Sequence, residues 1–431
     1  MAAIVLVVAT GPATVEPAGA LPPTLTPLRF APTIDPDPWT SITWRQVERP
    51  FAAEDPTPRQ MVGLAAGNGF VVGWGQARAR GRNQFDSMGA VIVSRDGERW
   101  RVIPLDDGVG VADASEPHGV AFGPTGVLVH GGVCCTVEEA AVWRSIDGSA
   151  WSRLPLGGDF DRRADTFNRI VGVNDGWVGV GVSSGRPAIW TSLDGGTWRA
   201  VDGLDVGKGT ISDVATFGDR LIAVGTIDDD AATHDGGVWG SDDGTTWTRV
   251  ARADPTLTGG DETELWRIVP FAGGLFVVGN HGSHEERVQC EQLGMTADLD
   301  PGPPATAFSC GWGREHHWLS ADADSWLRLQ PFDPLPGQPA PPGVRPIEHL
   351  LLAASGPGLV NYAEDSRPTD DAGVWVSPDG RTWQQVLSLV GEPPSAPYGF
   401  AVLGRRVVLV GDGDPVDGVQ PEVRITIGIV Q

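Results

Sequence analysis

One seven-residue pattern, Ser-x-Asp-Gly-x-x-Trp, recurs along the chain and restricts the folds open to it. Five full matches span residues 94–100, 145–151, 192–198, 241–247 and 377–383, and residues 320–326 form a sixth copy with Ala323 in place of glycine. Asp-Gly favours a tight turn, because glycine accepts a positive φ and the aspartate carboxylate accepts nearby backbone N–H groups. Each copy, called a box below, therefore predicts a hairpin corner between two strands.

The box side chains are expected to be structural, with each tryptophan packed within or between sheets. They are Asp96, Asp147, Asp194, Asp243, Asp322, Asp379, Trp100, Trp151, Trp198, Trp247, Trp326 and Trp383. Apolar strands precede each box, as at 170–173, 177–181 and 188–191. The repeating unit is thus four strands, and it recurs about every 50 residues, which is typical of one blade of a β-propeller.

Counting these units predicts an all-β fold, a seven-bladed β-propeller of four-stranded blades. Six blades are expected near residues 61–105, 118–156, 168–203, 211–252, 266–330 and 348–389. A seventh, within 398–430, has no box and lacks its fourth strand. Residues 44–47 repeat the Trp-x-x-Val of a box without a blade before them, so we expect this N-terminal strand to join the C-terminal blade and close the ring. Six or eight blades are the alternatives.

The boxes at 192–198 and 377–383, with Thr before the tryptophan, resemble the Asp-box, or bacterial neuraminidase repeat. That repeat occurs in sialidases, sortilin-type receptors and photosystem assembly factors. The resemblance implies a propeller over residues 44–430, although the boxes here are one residue shorter than the sialidase form. It implies no activity, because the Asp-box is a structural corner.

Charge and composition narrow the classes of partner. The chain carries 55 acidic and 31 basic residues, for a net charge of -24. Such a field repels phosphate backbones and anionic lipid, so we expect no nucleic-acid partner and no membrane insertion beyond a leader or lipid anchor. The 59 glycines and 36 prolines suit short strands and tight turns rather than long helices. We expect a monomer.

The N-terminal region predicts export. Residues 2–10 are apolar, and Ala18-Gly19-Ala20 has the small-residue character of a signal-peptidase site, although no Lys or Arg precedes the apolar run. Residues 1–20 are therefore expected to be a signal or leader segment, 21–38 a Pro-rich linker and 39–431 a single propeller domain. The expected location is extracellular, at the cell surface or periplasmic.

The opening residues of the first strands are expected to converge at one mouth of a central channel. Aligned on the following strand, the candidates are Gln60, His118, Arg169, Asp213, Arg267, His349 and Tyr398 or its neighbour. Two arginines with two histidines and a carboxylate suit an anionic or sugar-like ligand, because guanidinium groups bind carboxylates through two hydrogen bonds. A wet, polar channel without a ligand is the alternative interpretation.

The fifth blade carries a long insertion, from about 281 to 318. It contains Cys290 and Cys310, for which we expect a disulfide in an exported protein, with a zinc site as the alternative. Because it joins second and third strands, it should project on the side opposite the boxes. Trp312, Arg314 and His316 on this loop are therefore further candidates for ligand binding.

Two smaller features remain open. Cys134 and Cys135 are adjacent and form either a vicinal disulfide or free thiols. Arg78, Arg80 and Arg82 make a positive cluster in an acidic chain, either a solvated hairpin or an anion-facing patch. We expect no metal and no cofactor, since the chain has no dinucleotide fingerprint, P-loop or zinc-helix motif.

Two functions compete. A sialidase needs an arginine triad, a tyrosine nucleophile with a glutamate partner and an Arg-Ile-Pro motif, whereas this chain has only Tyr362 and Tyr398 and no Arg-Ile-Pro. The sequence therefore favours an exported, non-catalytic recognition propeller that binds a protein or glycan partner on the face opposite the boxes. A sialidase-type glycoside hydrolase is the alternative.

Overall fold

Strands are the only regular elements in the part of the chain that the structure describes. The computed structural model describes residues 42–78, 87–105, 115–133, 139–206, 209–228, 234–252, 254–258, 262–271, 274–283, 314–329, 348–355, 358–364, 373–377, 379–381, 384–388, 397–412 and 423–430. The all-β class is thereby confirmed. Among these residues no helix has the length and hydropathy needed to cross a membrane.

The strands form seven antiparallel sheets, numbered 1 to 7 from the N-terminus. Sheet 1 contains β2 (Thr57–Gly67), β3 (Phe70–Arg78), β4 (Ser87–Ser94) and β5 (Arg101–Pro104). Sheet 2 contains β6 (Ser115–Gly123), β7 (Gly126–Val133), β8 (Glu139–Ser145) and β9 (Ser152–Arg153). Sheet 3 contains β11 (Asp165–Val173), β12 (Gly176–Ser183), β13 (Arg186–Ser192) and β14 (Thr197–Ala200), with the short β10 (Gly157–Gly158) beside β14.

The remaining four sheets follow the same order. Sheet 4 contains β15 (Thr210–Phe217), β16 (Arg220–Asp228), β17 (His234–Ser241) and β18 (Thr248–Val250). Sheet 5 contains β19 (Glu262–Phe271), β20 (Gly274–Gly282), β21 (Arg314–Ser320) and β22 (Leu327–Leu329). Sheet 6 contains β23 (Glu348–Ser355), β24 (Gly358–Glu364), β25 (Gly373–Ser377) and β26 (Gln384–Ser388). Sheet 7 contains β27 (Pro397–Leu403), β28 (Arg406–Asp412), β29 (Val423–Val430) and β1 (Ile42–Gln46).

The hydrophobic core lies between neighbouring sheets. The second strands carry unbroken apolar runs, as at 221–224 and 275–278, because both faces of each sheet are covered and the usual alternation is lost. One core cluster joins Val71 and Ile92 of sheet 1 to Val408 and Ile427 of sheet 7. First strands of consecutive sheets contact each other in the order β2, β6, β11, β15, β19, β23 and β27, and β27 contacts β2.

The N-terminal strand belongs to the C-terminal sheet. β1 pairs antiparallel with β29, from Ile42 opposite Val430 to Gln46 opposite Thr426. The backbone N–H of Val47 extends this pairing by donating to the carbonyl oxygen of Ile425 at 2.8 Å. The open edge that β29 would otherwise present is thus covered by a strand from the other end of the chain.

Each described box is a corner held by its own side chains. In the first box the Ser94 hydroxyl accepts the N–H of Gly97 at 2.8 Å, and Asp96 Oδ1 accepts the N–H groups of Glu98 and Arg99 at 2.8 and 2.9 Å. The Trp100 indole donates to the Gly97 carbonyl oxygen at 2.8 Å. Hydrogen bonds within the corner therefore satisfy the polar groups that the turn takes out of the sheet ladder.

The box glycine also faces the preceding sheet. A Cβ at Gly97 would lie 3.1 Å from Val408, one at Gly148 2.8 Å from Phe70, and one at Gly195 2.9 Å from Leu128. The sixth box keeps the same corner with Ala323 at a φ of 68°, where a side chain is strained. Four box tryptophans are buried and Trp151 is half-buried, whereas Trp383 lies outside the described residues.

Sheet 3 departs from the expected four strands. β10 lies parallel to β14, with Gly157 opposite Thr197, and the N–H of Asp159 donates to the Trp198 carbonyl oxygen at 2.8 Å. The other six sheets have four strands, as predicted. Two glycines provide no apolar alternation, so no sequence pattern marks this short strand.

Candidate functional site

Each first strand contains a β-bulge at a corresponding place. The register of β11 shifts between Phe167 and Arg169, that of β15 between Ile211 and Asp213, and that of β19 between Leu265 and Arg267. An extra residue bends a strand and redirects the side chains beside it. Arg169, Asp213 and Arg267 therefore occupy one equivalent position, directly after the bulge, on three consecutive first strands.

The structure corrects the placement of the candidates. His118 is the bulged residue of β6, and His349 pairs with Ala363 just before the bulge of β23, so neither shares the position of Arg169. The five candidates also do not open their strands, since β11 begins at Asp165 and β19 at Glu262. The cause of the wrong alignment is the bulge. Its extra residue shifts every later position of the strand by one, and an alternating apolar–polar pattern does not reveal that shift. The side chain of His349 lies outside the described residues.

Asp213 links three sheets. Its Oδ1 lies 3.5 Å from Arg169 Nε and accepts the N–H of Val214 at 2.8 Å, while its Oδ2 accepts the N–H of Ile268 at 3.1 Å. Asp213 is only 7% exposed, so these contacts compensate a largely desolvated carboxylate. Its charge is directed at the protein and not at solvent.

Asn168, which the sequence analysis did not single out, strengthens this junction. Its side-chain amide donates to the carbonyl oxygen of Ile211 at 2.8 Å and ties β11 to β15 beside the Arg169–Asp213 ion pair. It is the bulged residue of β11, so its side chain is turned towards the neighbouring sheet. The one sequence feature that could have identified Asn168 is its polar side chain directly before Arg169.

Arg267 has no carboxylate within 4.0 Å in the described part of the chain, and its side chain is exposed. Desolvation, followed by repulsion from Arg169, lowers the pKa of its guanidinium, and Asp213 opposes that change. The guanidinium is therefore accessible to water and also closely surrounded by protein atoms. In the described residues Asp213 is the carboxylate that offsets its charge, from beyond 4.0 Å.

His130 lies beside this cluster and was missed by the sequence analysis. It is 2% exposed, and its ring packs over Gly119, whose Cβ would lie 2.4 Å from Nε2. Desolvation, then the charges of His118 and Arg169, hold the pKa of His130 well below its usual value. The sequence does mark His130 as unusual, because the equivalent positions of other second strands are the valines Val180, Val224 and Val278. His130 is a neutral side chain behind the cationic cluster.

The long insertion of sheet 5 is only partly described. Arg314 and His316 lie in strand β21 and not on a loop, and the His316 ring stands edge-on to His281 at 5.3 Å. The side chain of Arg314, the whole of Trp312, and the cysteines Cys134, Cys135, Cys290 and Cys310 lie outside the described residues. That this loop lies near Arg169 and Arg267 therefore stays a prediction.

A second polar group ties sheets 4 and 5 at the ends opposite the boxes. His234 Nδ1 lies 3.0 Å from Glu264 Oε1, and His234 Nε2 lies 3.5 Å from Asp228 Oδ1. Glu264 is 8% exposed. Among the residues that the structure describes, no three His, Cys, Asp or Glu side chains are grouped as a metal site requires.

Comparisons with known proteins concern the fold alone. No protein-family model matches the chain, and neither does any curated protein. Among solved structures, the acylaminoacyl peptidase of Pyrococcus horikoshii is 7% identical with a TM-score of 0.50, over 85% of this chain and 51% of that one. The chain thus spans about half the length of that peptidase.

Two further structures are similar at lower scores. The β-propeller domain of the Trilobed protease from Pyrococcus furiosus is 8% identical with a TM-score of 0.48, over 85% of this chain and 95% of that one. A mutant of Trypanosoma rangeli sialidase displaying trans-sialidase activity is 13% identical with a TM-score of 0.41, over 90% and 59%. Neither similarity carries an argument about activity.

Proposed function

We propose that this chain is an exported, non-catalytic recognition protein that binds an anionic group of a protein or glycan partner from the side opposite the boxes. In this proposal the seven sheets are the blades of an Asp-box β-propeller, closed where β1 joins sheet 7. The cyclic order of first-strand contacts and the packing of each box glycine on the preceding sheet support this architecture.

The position of two arginines carries the functional proposal. Arg169 and Arg267 stand at the same place after the bulge on β11 and β19, on either side of β15. Only Asp213 lies between them, and its oxygens already accept two backbone N–H groups. One carboxylate faces two guanidinium groups, so the cluster keeps a net positive charge in a chain of net charge -24. A carboxylate on a ligand would balance it through charge-assisted hydrogen bonds.

The absence of paired carboxylates in the described cluster argues against a glycoside hydrolase of the two-carboxylate type. Hydrolysis of this kind needs a second acid or a nucleophile facing the scissile bond. Asp213 is the one carboxylate of the described cluster, and it is buried against Arg169 and the backbone of β19. Its role in this proposal is to position Arg169. The sialidase-type hydrolase is kept as an outcome of the test.

An array of acidic and neutral glycans, followed by titration calorimetry on the best ligand, tests the proposal. We expect saturable binding of acidic glycans without release of product from a fluorogenic sialoside. A charge-assisted hydrogen bond contributes about 1.5–3 kcal/mol, so Arg169→Ala or Arg267→Ala should weaken binding by roughly 10- to 150-fold. Arg99→Ala, at an exposed box arginine, is the matched control and should leave binding unchanged.

Two results would reject the proposal. One is sialoside turnover that disappears in Asp213→Asn, which would identify a hydrolase. The other is binding of neutral and acidic glycans with equal affinity, unaffected by Arg169→Ala. Circular dichroism and thermal unfolding of each variant separate lost binding from lost folding, which matters for Asp213 because it joins sheets.

A further inference from the structure

A second cationic pair lies on sheet 1, outside the cluster of Arg169 and Arg267. Arg59 is the bulged residue near the start of β2, between Pro58 and Gln60, and Arg78 ends the adjacent β3. Both belong to the end of the sheet opposite the box, because Thr57 pairs with Arg78 there. Two arginines thus lie on neighbouring strands where the first strand of sheet 1 begins.

This pair has no acidic counterpart in the described residues. Neither arginine has a carboxylate within 4.0 Å there, and both side chains are half-buried. Desolvation and then the charge of Arg78 lower the pKa of the Arg59 guanidinium, with no carboxylate opposing them. Among the described residues these two like charges lie close together with no acid beside them, and a bound anion would offset their repulsion. The sequence adds Arg80 and Arg82 shortly after Arg78.

The apolar surface indicates which kind of anion fits. Three large apolar side chains are exposed in the described residues, namely Ile146, Leu193 and Leu327. Ile146 and Leu193 belong to boxes, and Leu327 directly follows one, so all three lie at the box end of their sheets. Protein interfaces centre on buried aromatic or aliphatic anchors. The described part of the opposite side has no exposed apolar anchor of this size, which favours a glycan over a protein.

We propose that Arg59 and Arg78 form a second anion subsite, so that the partner is an acidic glycan with several carboxylates, one in the Arg169–Arg267 cluster and another on sheet 1. This inference rests on the proposed function and specifies its ligand class. The contact order β2, β6, β11 places sheet 2, with His118, between the two subsites. A single acidic sugar would occupy one subsite, whereas a chain of sugars would occupy both and gain affinity from linkage.

Oligogalacturonates of one, two, four and six sugars are the probes, measured by titration calorimetry at low and high salt. With the wild type we expect affinity to rise at least about tenfold once the oligomer is long enough to occupy both subsites. Arg59→Gln/Arg78→Gln should remove that rise and reduce the salt dependence, while binding of the single sugar stays unchanged. Arg99→Gln/Arg101→Gln removes the same charge from exposed positions of the same sheet and should behave as wild type.

Each other outcome is decisive. If the single sugar binds but affinity does not depend on length, or if Arg59→Gln/Arg78→Gln keeps that dependence, the second subsite is wrong and the proposed function stands. If no acidic sugar, oligosaccharide or peptide binds, the proposed function fails together with the second subsite. Tighter binding of hexaglutamate than of the hexasaccharide would overturn the glycan class. Chondroitin sulfate oligosaccharides compared with unsulfated chondroitin oligosaccharides of equal length distinguish sulfate from carboxylate as the anion bound.

Discussion

Arg406, in the last sheet, donates a hydrogen bond from its guanidinium to the backbone carbonyl oxygen of Asp96, in the first box. Around this contact, Arg45 of β1 forms a 2.6 Å salt bridge with Glu98 of the same box. Both arginines belong to sheet 7 and both partners to sheet 1. The first box is therefore the place where the beginning and the end of the chain are fastened to each other.

Deleting residues 41–49 should destabilise the whole protein. The deletion exposes the edge of β29, removes Val47 from the core between sheets 1 and 7, and breaks the contact of Arg45 with Glu98. We expect a lower melting temperature and concentration-dependent aggregation in light scattering. A chain that begins at residue 39 is the control and should remain soluble. Equal stability of the two would show that β1 is dispensable.

Exchanging glycine and alanine between two boxes should change stability in opposite directions. Ala323→Gly removes the strain of a left-handed backbone conformation, which costs a non-glycine residue roughly 1–2 kcal/mol. Glycine also gives the unfolded chain more freedom, which takes back about 0.4–1 kcal/mol of that gain in stability. Gly195→Ala introduces the same strain at a φ of 79° and places a Cβ 2.9 Å from Leu128. Urea unfolding of both variants measures the two effects, and a change of the same sign in both would contradict the argument.

Trp198→Ala should cost stability and leave ligand binding intact in the fraction that folds. The side chain is fully buried, its ring centroid lies 4.8 Å from that of Phe167, and its indole N–H donates to the Gly195 carbonyl oxygen at 3.0 Å. Removing a large buried aromatic side chain costs on the order of 3–5 kcal/mol. Chemical unfolding measures the free energy of unfolding, and glycan titration on the same preparation measures the binding affinity of the folded fraction. Lost binding at unchanged stability would make the tryptophan part of a ligand site.

The box carboxylates should make the fold sensitive to acid. Burial raises the pKa of Asp243, but hydrogen bonds from the N–H groups of Thr246 and Thr245 outweigh it and lower the value from 3.8 to about 2. A carboxyl pKa that is lower in the folded state stabilises the protein above the unfolded value and loses that contribution as pH falls from about 4 to about 2. Urea midpoints across this range should therefore fall more steeply for the wild type than for Asp243→Asn.

Cys290 and Cys310 should be linked when the protein is isolated from the exported fraction. The motivation is their separation within one Pro-rich insertion together with the N-terminal leader pattern. Peptide mapping by mass spectrometry without reduction should yield the cross-linked pair. Free thiols at both positions, or bound zinc, would contradict the disulfide.

Local chemistry explains how much of the fold was predictable. The box encodes its corner completely, since Ser, Asp, Gly and Trp each bond within the same seven residues, and the strands on either side follow. The bulges were not predictable, because a bulge depends on the neighbouring strand and leaves no mark in an alternating pattern. The positions of His118 and His349 relative to Arg169 were therefore wrong, although Arg169, Asp213 and Arg267 did fall on equivalent positions.

The side chains behind the site were harder to infer than those in it. Arg169 and Arg267 stand out as cations in an acidic chain, whereas Asn168 and His130 matter only through contacts with other sheets. For His130 the signal is a polar residue at a position that other repeats fill with valine. Comparing repeats position by position finds it where hydropathy patterning does not.

The pairing of β1 with β29 determines when sheet 7 can be completed during synthesis of the chain. β1 is among the first strands made and its partner among the last, so nearly 400 residues must be synthesised between them, roughly 20 to 80 s at typical ribosomal rates. Throughout that interval the first strand has no permanent neighbour, and the last sheet is incomplete. Sheet 7 can therefore be completed only after β29 has left the ribosome, and until then β1 lacks its native partner strand.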